Sequence, residues 1–296
     1  MLSDKFKNQI HLHFLVFIAG FTAILGELIS LDATPLVWYR MVIAGLLMFI
    51  FIKIKKINLK VSIKALVQFS FAGIVIALHW ITFFASIKAS NISIALAMFS
   101  TGAFFASLIE PILYKRKIIM YELFFGLIVT LGIFLIMQTE LKFLLGILLG
   151  ISSALFSTLF AVLNGKFVAE HNASTISFYE FISGVVFISI CLFFSSDGFD
   201  REFFNLSLSD LGFIFILASI CTAYAFIASV HVMKYLTPYT LVLTYNLEPI
   251  YGILLALFLF PESETMSTSF YLGASLIIST VVLNAIFKQK SNKIKS

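Results

Sequence analysis

Ten stretches of about 20 predominantly apolar residues, divided by short polar connections, take up most of this 296-residue chain. Each is long enough to cross a hydrocarbon core about 30 Å thick. Lipid offers no hydrogen bonds to the backbone, so a stretch that crosses it must satisfy its own N–H and C=O groups as a helix. The composition agrees, with 60% of residues hydrophobic and 12% charged, against roughly half and a quarter in a soluble domain. Little length remains for a second domain. The pattern predicts spans at 10–30, 35–54, 65–87, 91–113, 121–139, 143–168, 175–195, 208–232, 238–260 and 268–287. Pro35 and Pro238 begin spans, where a missing N–H is no loss, and Pro261 follows the end of one. Pro111 and Pro249 instead lie inside spans four and nine, each directly after a glutamate.

The chain is basic, with a formal net charge of +5, but the basic residues lie in short runs between spans and form no face for nucleic acid. Their distribution sets topology. With a cytoplasmic N-terminus, 16 of the 20 Lys and Arg fall inside; Lys88, Lys142 and Arg201 fall outside, and Arg40 lies within span two. The fold class predicted is an all-α integral membrane protein of ten transmembrane helices, both termini cytoplasmic, in the cytoplasmic membrane. The first apolar run is long and lacks a small-residue cleavage pattern, so it reads as a retained helix. Cys191 and Cys221 fall in separate spans, with no CxxC or Cys/His spacing; they read as small hydrophobes, and no metal or cofactor is expected.

The chain is doubled. Ala33 to Arg40, between spans one and two, can be laid on Ala173 to Glu180, between spans six and seven, and Ile87 to Ser90 can be laid on Met233 to Leu236. The offset is 140 and then 146 residues. Five spans per half is an odd number, so the halves, 1–140 and 141–296, must be inserted with opposite orientation, and alternating access is the natural motion of such a pair.

An ionisable side chain at the bilayer centre costs about 2.5 to 3.5 kcal/mol on insertion scales and is a functional candidate for that reason. Glu248 lies about ten residues into span nine, at the midplane, where Pro249 loosens the turn before it. With Asn246, Tyr245 and Thr244 it predicts a polar site for an amine or a proton; the other reading is a structural glutamate satisfied by neighbouring hydroxyls. His79 lies at a similar depth in span three and is followed by Trp80, whose indole can stack on a ligand; hydrogen bonding to a neighbouring helix is its plainer role. Smaller polar groups complete the candidate substrate site: Thr22, Ser100, Thr101, Ser157 and Tyr224, with Ser153, Thr158 and Thr222 nearby in sequence. Packing is the other role for these, since small side chains let membrane helices approach. Glu27 and Arg40 are matched in depth across a short loop, and Lys166 and Glu180 hold the aligned positions with the signs exchanged. Each pair is expected as a gating or structural ion pair, against unpartnered snorkelling of the basic member.

The run Leu247-Glu248-Pro249-Ile250-Tyr251-Gly252, followed by Leu257 to Glu262, resembles the second-repeat signature of EamA-type carriers of the drug/metabolite transporter superfamily. In the first half Arg40, His79-Trp80, Ser90 to Ser93 and Ser100-Thr101-Gly102 carry the same likeness, which extends over essentially all ten spans. One departure stands out: where the second half has Glu248-Pro249, the first has Gly102-Ala103, and its own Glu110-Pro111 lies farther along. The resemblance implies two five-helix repeats around a central cavity, with amino acids, related metabolites or cationic drugs as substrates and export as the direction. Residue chemistry excludes several other classes. There is no GxxxxGK[ST] run for an ATPase, so energy must come from a gradient, with protons as a candidate coupling ion. No HExxH or GxSxG lies on a span, which argues against an enzyme. A channel is the remaining alternative, disfavoured by the lack of a charged ring. The expected partners are a small-molecule substrate, the lipid bilayer and protons, and no nucleic acid.

Overall fold

The computed structural model describes residues 4–295 apart from 116, 118, 196–197, 233–234, 236–243 and 246; the side chains at 5, 122, 123, 202, 230, 285 and 288–295 are also outside the description. The described residues hold helices and no strand. Helices α1 (Asp4–Leu28), α2 (Ala33–Lys55) and α3 (Ile63–Ala89) are continuous, whereas the fourth apolar stretch divides into α4 (Ile92–Phe99) and α5 (Gly102–Tyr114). After α6 (Met120–Thr139), the second half runs through α7 (Leu144–Phe167), α8 (Ala173–Phe193), the single turn α9 (Arg201–Phe204), α10 (Leu208–Ala218) and α11 (Ala225–Val232). It ends with α12 (Glu248–Leu259), the short α13 (Pro261–Glu264) and α14 (Thr268–Lys295). A π-helical turn, Ser219–Tyr224, joins α10 to α11.

Among the described residues seven helical runs are long and apolar enough to cross a membrane; the apolar parts of α6, α12 and α14 are shorter. The differences from the predicted spans have local causes. Asp4 in the first turn of α1 pairs with Lys7 at 3.3 Å and extends that helix beyond the apolar run. In the same way α14 continues past its apolar part. The predicted start of span nine at Pro238 lies outside the described residues, as does the match of Met233 to Leu236 apart from Tyr235.

Polar N-caps define several starts: Ser62 accepts from Ala65 N, Asn91 from Ile94 N, Asn172 from Ser174 N and Ser207 from Asp210 N. Inside the bundle α3 packs mainly on α7 and α8, α2 on α8, α1 on α12, and α6 on α14. The halves are therefore interleaved. Glycine sets the closest of these crossings. A Cβ on Gly73 of α3 would strike the backbone of Glu180 on α8, and Gly132 and Gly273 face each other's carbonyls between α6 and α14. Large apolar side chains such as Phe14, Phe49, Phe124 and Phe258 are exposed around the bundle, as lipid contact requires.

Hydrogen bonds between connections sort them into two faces. At one, Lys88 Nζ donates to Ile29 O (2.6 Å), Asn91 Nδ2 to Ser263 O (3.0 Å), and Ser267 N to Glu140 Oε1 (3.3 Å). At the other, Thr175 Oγ1 donates to Asn58 O (3.1 Å) and Lys166 Nζ to Leu113 O (2.6 Å). The first includes Asp32, Glu140, Asp210 and Glu264, and the second Lys53, Lys55, Lys56, Lys60, Lys115 and Lys166. They are the acidic face and the basic face below.

Candidate functional site

Arg40 lies two turns into α2 and is 3% exposed. It does not snorkel to the near face. Its Nε donates to Thr222 Oγ1 at 2.8 Å, and its guanidinium carbon stands 4.0 Å from the centre of the Trp80 ring, with Phe84 at 5.7 Å. A guanidinium carries delocalised charge and stacks well on indole, which is how this cation is held away from water. The π turn supplies its partner. Thr222 Oγ1 donates to Leu217 O, five residues back, at 2.8 Å and accepts from Arg40. Cys221, in the same turn, lies beside Thr22 of α1. Isolated π turns inside α-helices recur at functional sites because they displace one residue from the helical register.

Glu248 is the first residue of α12, half-buried, with Pro249 at a position where no N–H is needed. Its carbonyl lies 3.2 Å from where a Cβ on Gly20 would stand, so the glycine lets α1 meet the start of α12. Glu248 and Arg40 interact electrostatically, as do Arg40 and His79. Yet the only salt bridge among the described residues is Lys7 with Asp4, so Arg40 and Glu248 do not close an ion pair.

The remaining predicted site residues divide. Thr22 and Trp80 join the Arg40 cluster. His79 is nearly buried, with Nδ1 hydrogen-bonded to Ser153 O (3.1 Å) and Ser153 Oγ (2.9 Å) and its ring stacked on Phe99 at 5.4 Å. Its ring thereby ties α3 to α7. Ser100 and Thr101 donate to Leu96 O and Met98 O of their own helix at the break between α4 and α5, and Thr158 of α7 donates to Gly102 O just beyond it. Ser157 is half-buried on α7. Tyr224 and Tyr245 are turned elsewhere: Tyr224 OH meets His11 Nε2 at 2.7 Å, and Tyr245 OH meets Ser229 at 2.8 Å. Asn246 lies outside the described residues.

Neither expected ion pair is formed. Glu27 stands beside Lys88, which donates to the carbonyls of Glu27 and Ile29, while Arg40 is turned inward by Trp80 and Thr222. Lys166 is exposed and donates to Leu113 O, whereas buried Glu180 accepts from Asn164 Nδ2 at 2.7 Å. Residues 164 and 166 point to different sides of α7, so the helix that brings Asn164 to Glu180 carries Lys166 away from it. The partners that sequence reasoning missed are Cys221, Phe99 and Asn164, together with Asp210 and Glu264 at the acidic face. A Ser-x-x-Asp capping pattern, Ser207 to Asp210, was the one available signal for them.

A bundle of apolar helices with a buried arginine, a half-buried glutamate and a broken span at its centre has the build of a multi-pass membrane transporter. The model of the EamA-like transporter family matches residues 10–138 and again 144–286, and the chain belongs to that family, within the drug/metabolite transporter superfamily. The family is one of transporters, not enzymes. None of the curated proteins matches the chain. Among solved structures, one described only as "Crystal structure of protein" is similar at 13% identity and a TM-score of 0.64, over 93% of this chain and 97% of that one, a likeness of fold.

Proposed function

We propose that this protein is a secondary carrier that exports small metabolites, amino acids foremost, across the cytoplasmic membrane by alternating access. In this reading 1–140 and 141–296 are inverted repeats of five spans, and the basic face, with both termini, is cytoplasmic. The observation that carries it is the placing of the helix starts. Helix α5 begins at Gly102 and α12 at Glu248, 146 residues apart, the offset at which the second part of the sequence repeat aligns. Helices that begin within the membrane at matched positions of two halves leave backbone groups free to meet a solute between them. Glu248 is itself the first residue of α12, and its opposed charge, Arg40, interacts with it electrostatically. A cationic drug, the other substrate class the resemblance implies, would set its charge beside the Arg40 guanidinium, which speaks against it.

The test is efflux of radiolabelled amino acids from proteoliposomes, with and without an imposed pH gradient, for the intact protein, Glu248→Gln and His79→Ala. The expected result is gradient-sensitive flux that Glu248→Gln abolishes and His79→Ala reduces. Absence of amino-acid flux in the intact protein refutes the substrate, and unchanged flux in Glu248→Gln refutes the site.

A further inference from the structure

Arg40 Nη1 is buried and has no hydrogen-bond partner among the described residues, although Arg40 Nε and its ring face are both engaged. A buried cationic N–H left unpaired is among the more costly arrangements in a protein interior. The carboxylate that could satisfy it, Glu248, interacts with Arg40 electrostatically without coming within ion-pair distance. Closing that gap would neutralise both groups. Instead Trp80 and Thr222 hold the guanidinium on one side, while Gly20 and Pro249 fix the start of α12 on the other.

We propose that Arg40 and Glu248 form a two-point site for a small zwitterion: the free edge of the Arg40 guanidinium takes the substrate carboxylate, and the Glu248 carboxylate takes its ammonium group. The proposal rests on the carrier reading above and narrows it, by giving Arg40 a substrate contact in place of a structural ion pair. Guanidinium and carboxylate match as a fork of parallel N–H···O bonds. The substrate then completes the charge pair that the protein leaves open, so a ligand with one charge of either sign strands the other protein group. Such a site selects by charge pattern, and it rejects amines without a carboxylate as well as acids without an amine. Thr222 is a positioning residue here, since its hydroxyl fixes Nε and so the direction of the fork.

The experiment is counterflow in proteoliposomes with tritiated L-leucine, L-phenylalanine, L-threonine and L-lysine, followed by competition with the methyl ester and the N-acetyl derivative of each one that exchanges. In the intact protein both derivatives are expected to compete about tenfold or more weakly than the free amino acid, the loss of one charge-assisted contact. Arg40→Gln should weaken the free amino acid and its N-acetyl derivative while leaving the ester unchanged. Glu248→Gln should weaken the free amino acid and the ester while sparing the N-acetyl derivative. Thr222→Val should produce the Arg40→Gln pattern in milder form. An ester that competes as well as its parent amino acid overturns the two-point site and leaves the carrier reading intact. Absence of exchange by all four amino acids overturns both. The competition ratios of the intact protein decide the matter even where Arg40→Gln fails to fold.

Discussion

The acidic and basic faces both join the first half of the chain to the second, but by different chemistry. At the acidic face buried carboxylates accept from backbone and hydroxyl donors. Glu264 takes Ile92 N at 2.9 Å and Ser93 N at 2.8 Å, and Asp210 takes Ser30 N and Ser30 Oγ, each at 2.7 Å. At the basic face one exposed ammonium, Lys166 Nζ, reaches Leu113 O at 2.6 Å, and the other crossings are single neutral bonds, Tyr179 OH to Leu59 O at 2.8 Å and Thr175 to Asn58 O at 3.1 Å. A cavity of about 670 Å³ opens beside them, lined by Lys53, Asn58, Lys60 and Tyr179 and distant from the Arg40 cluster. Charge-assisted bonds are roughly twice as strong as neutral ones. Under the proposed alternating access, this conformation is fastened more firmly at the acidic face and is expected to open first at the basic one. Cys221 of the central π turn is a native probe of that difference, because in a Cys191→Ser background its labelling by an impermeant maleimide reports which face admits reagent.

The largest effect is expected from Glu264. Its carboxylate, with Asn91, satisfies the first N–H groups of α4, the donors for which a helix has no carbonyl of its own. Glu264→Ala leaves two buried donors unpaired and should lower stability in detergent by about 3 kcal/mol, with faster Cys221 labelling from the acidic face. An unchanged melting temperature together with unchanged labelling would remove the latch from the account. Asp210→Asn keeps the shape of the side chain and part of its accepting capacity, so a smaller loss of about 1 to 2 kcal/mol is expected. Tyr179→Phe should cost about 1 kcal/mol or less and shift Cys221 labelling in the opposite sense, toward the basic face. Acceleration from the acidic face in that variant would erase the asymmetry.

These latches show where the sequence was legible. Apolar length gave the helices, and Pro249 after Glu248 marked a disturbed turn inside the predicted span nine, where the structure begins α12, because proline disrupts a helix in a way that can be read locally. The matched start of α5 had no such mark, since Gly102 sits at a break made by the Ser100 and Thr101 hydroxyls turning back on their own carbonyls. The π turn was equally silent: its register is fixed by Arg40 and Leu217, groups outside its own sequence window. Depth along the chain put Arg40 level with Glu27 but did not show which way the side chain leans. The aromatic faces of Trp80 and Phe84 decided that, and they come from another helix.

The smallest effect gives the sharpest test of how the basic face is held. Glu180 is buried on α8 and bonded to Asn164, while Lys166 is exposed on the same helix as Asn164 and lies against the Tyr114 ring at 5.1 Å. A double-mutant cycle between Asn164→Ala and Glu180→Gln should give a coupling of about 1 kcal/mol, as for residues in direct contact. The cycle between Lys166→Met and Glu180→Gln should stay below about 0.5 kcal/mol, within the additivity expected of residues with no shared partner. Lys166→Met alone should then change stability by about 0.5 kcal/mol or less, because an exposed ammonium loses little that water does not return. A Lys166 coupling as large as that of Asn164 would require α7 to turn until Lys166 reaches Glu180, and the basic face would then be closed by charge as firmly as the acidic one.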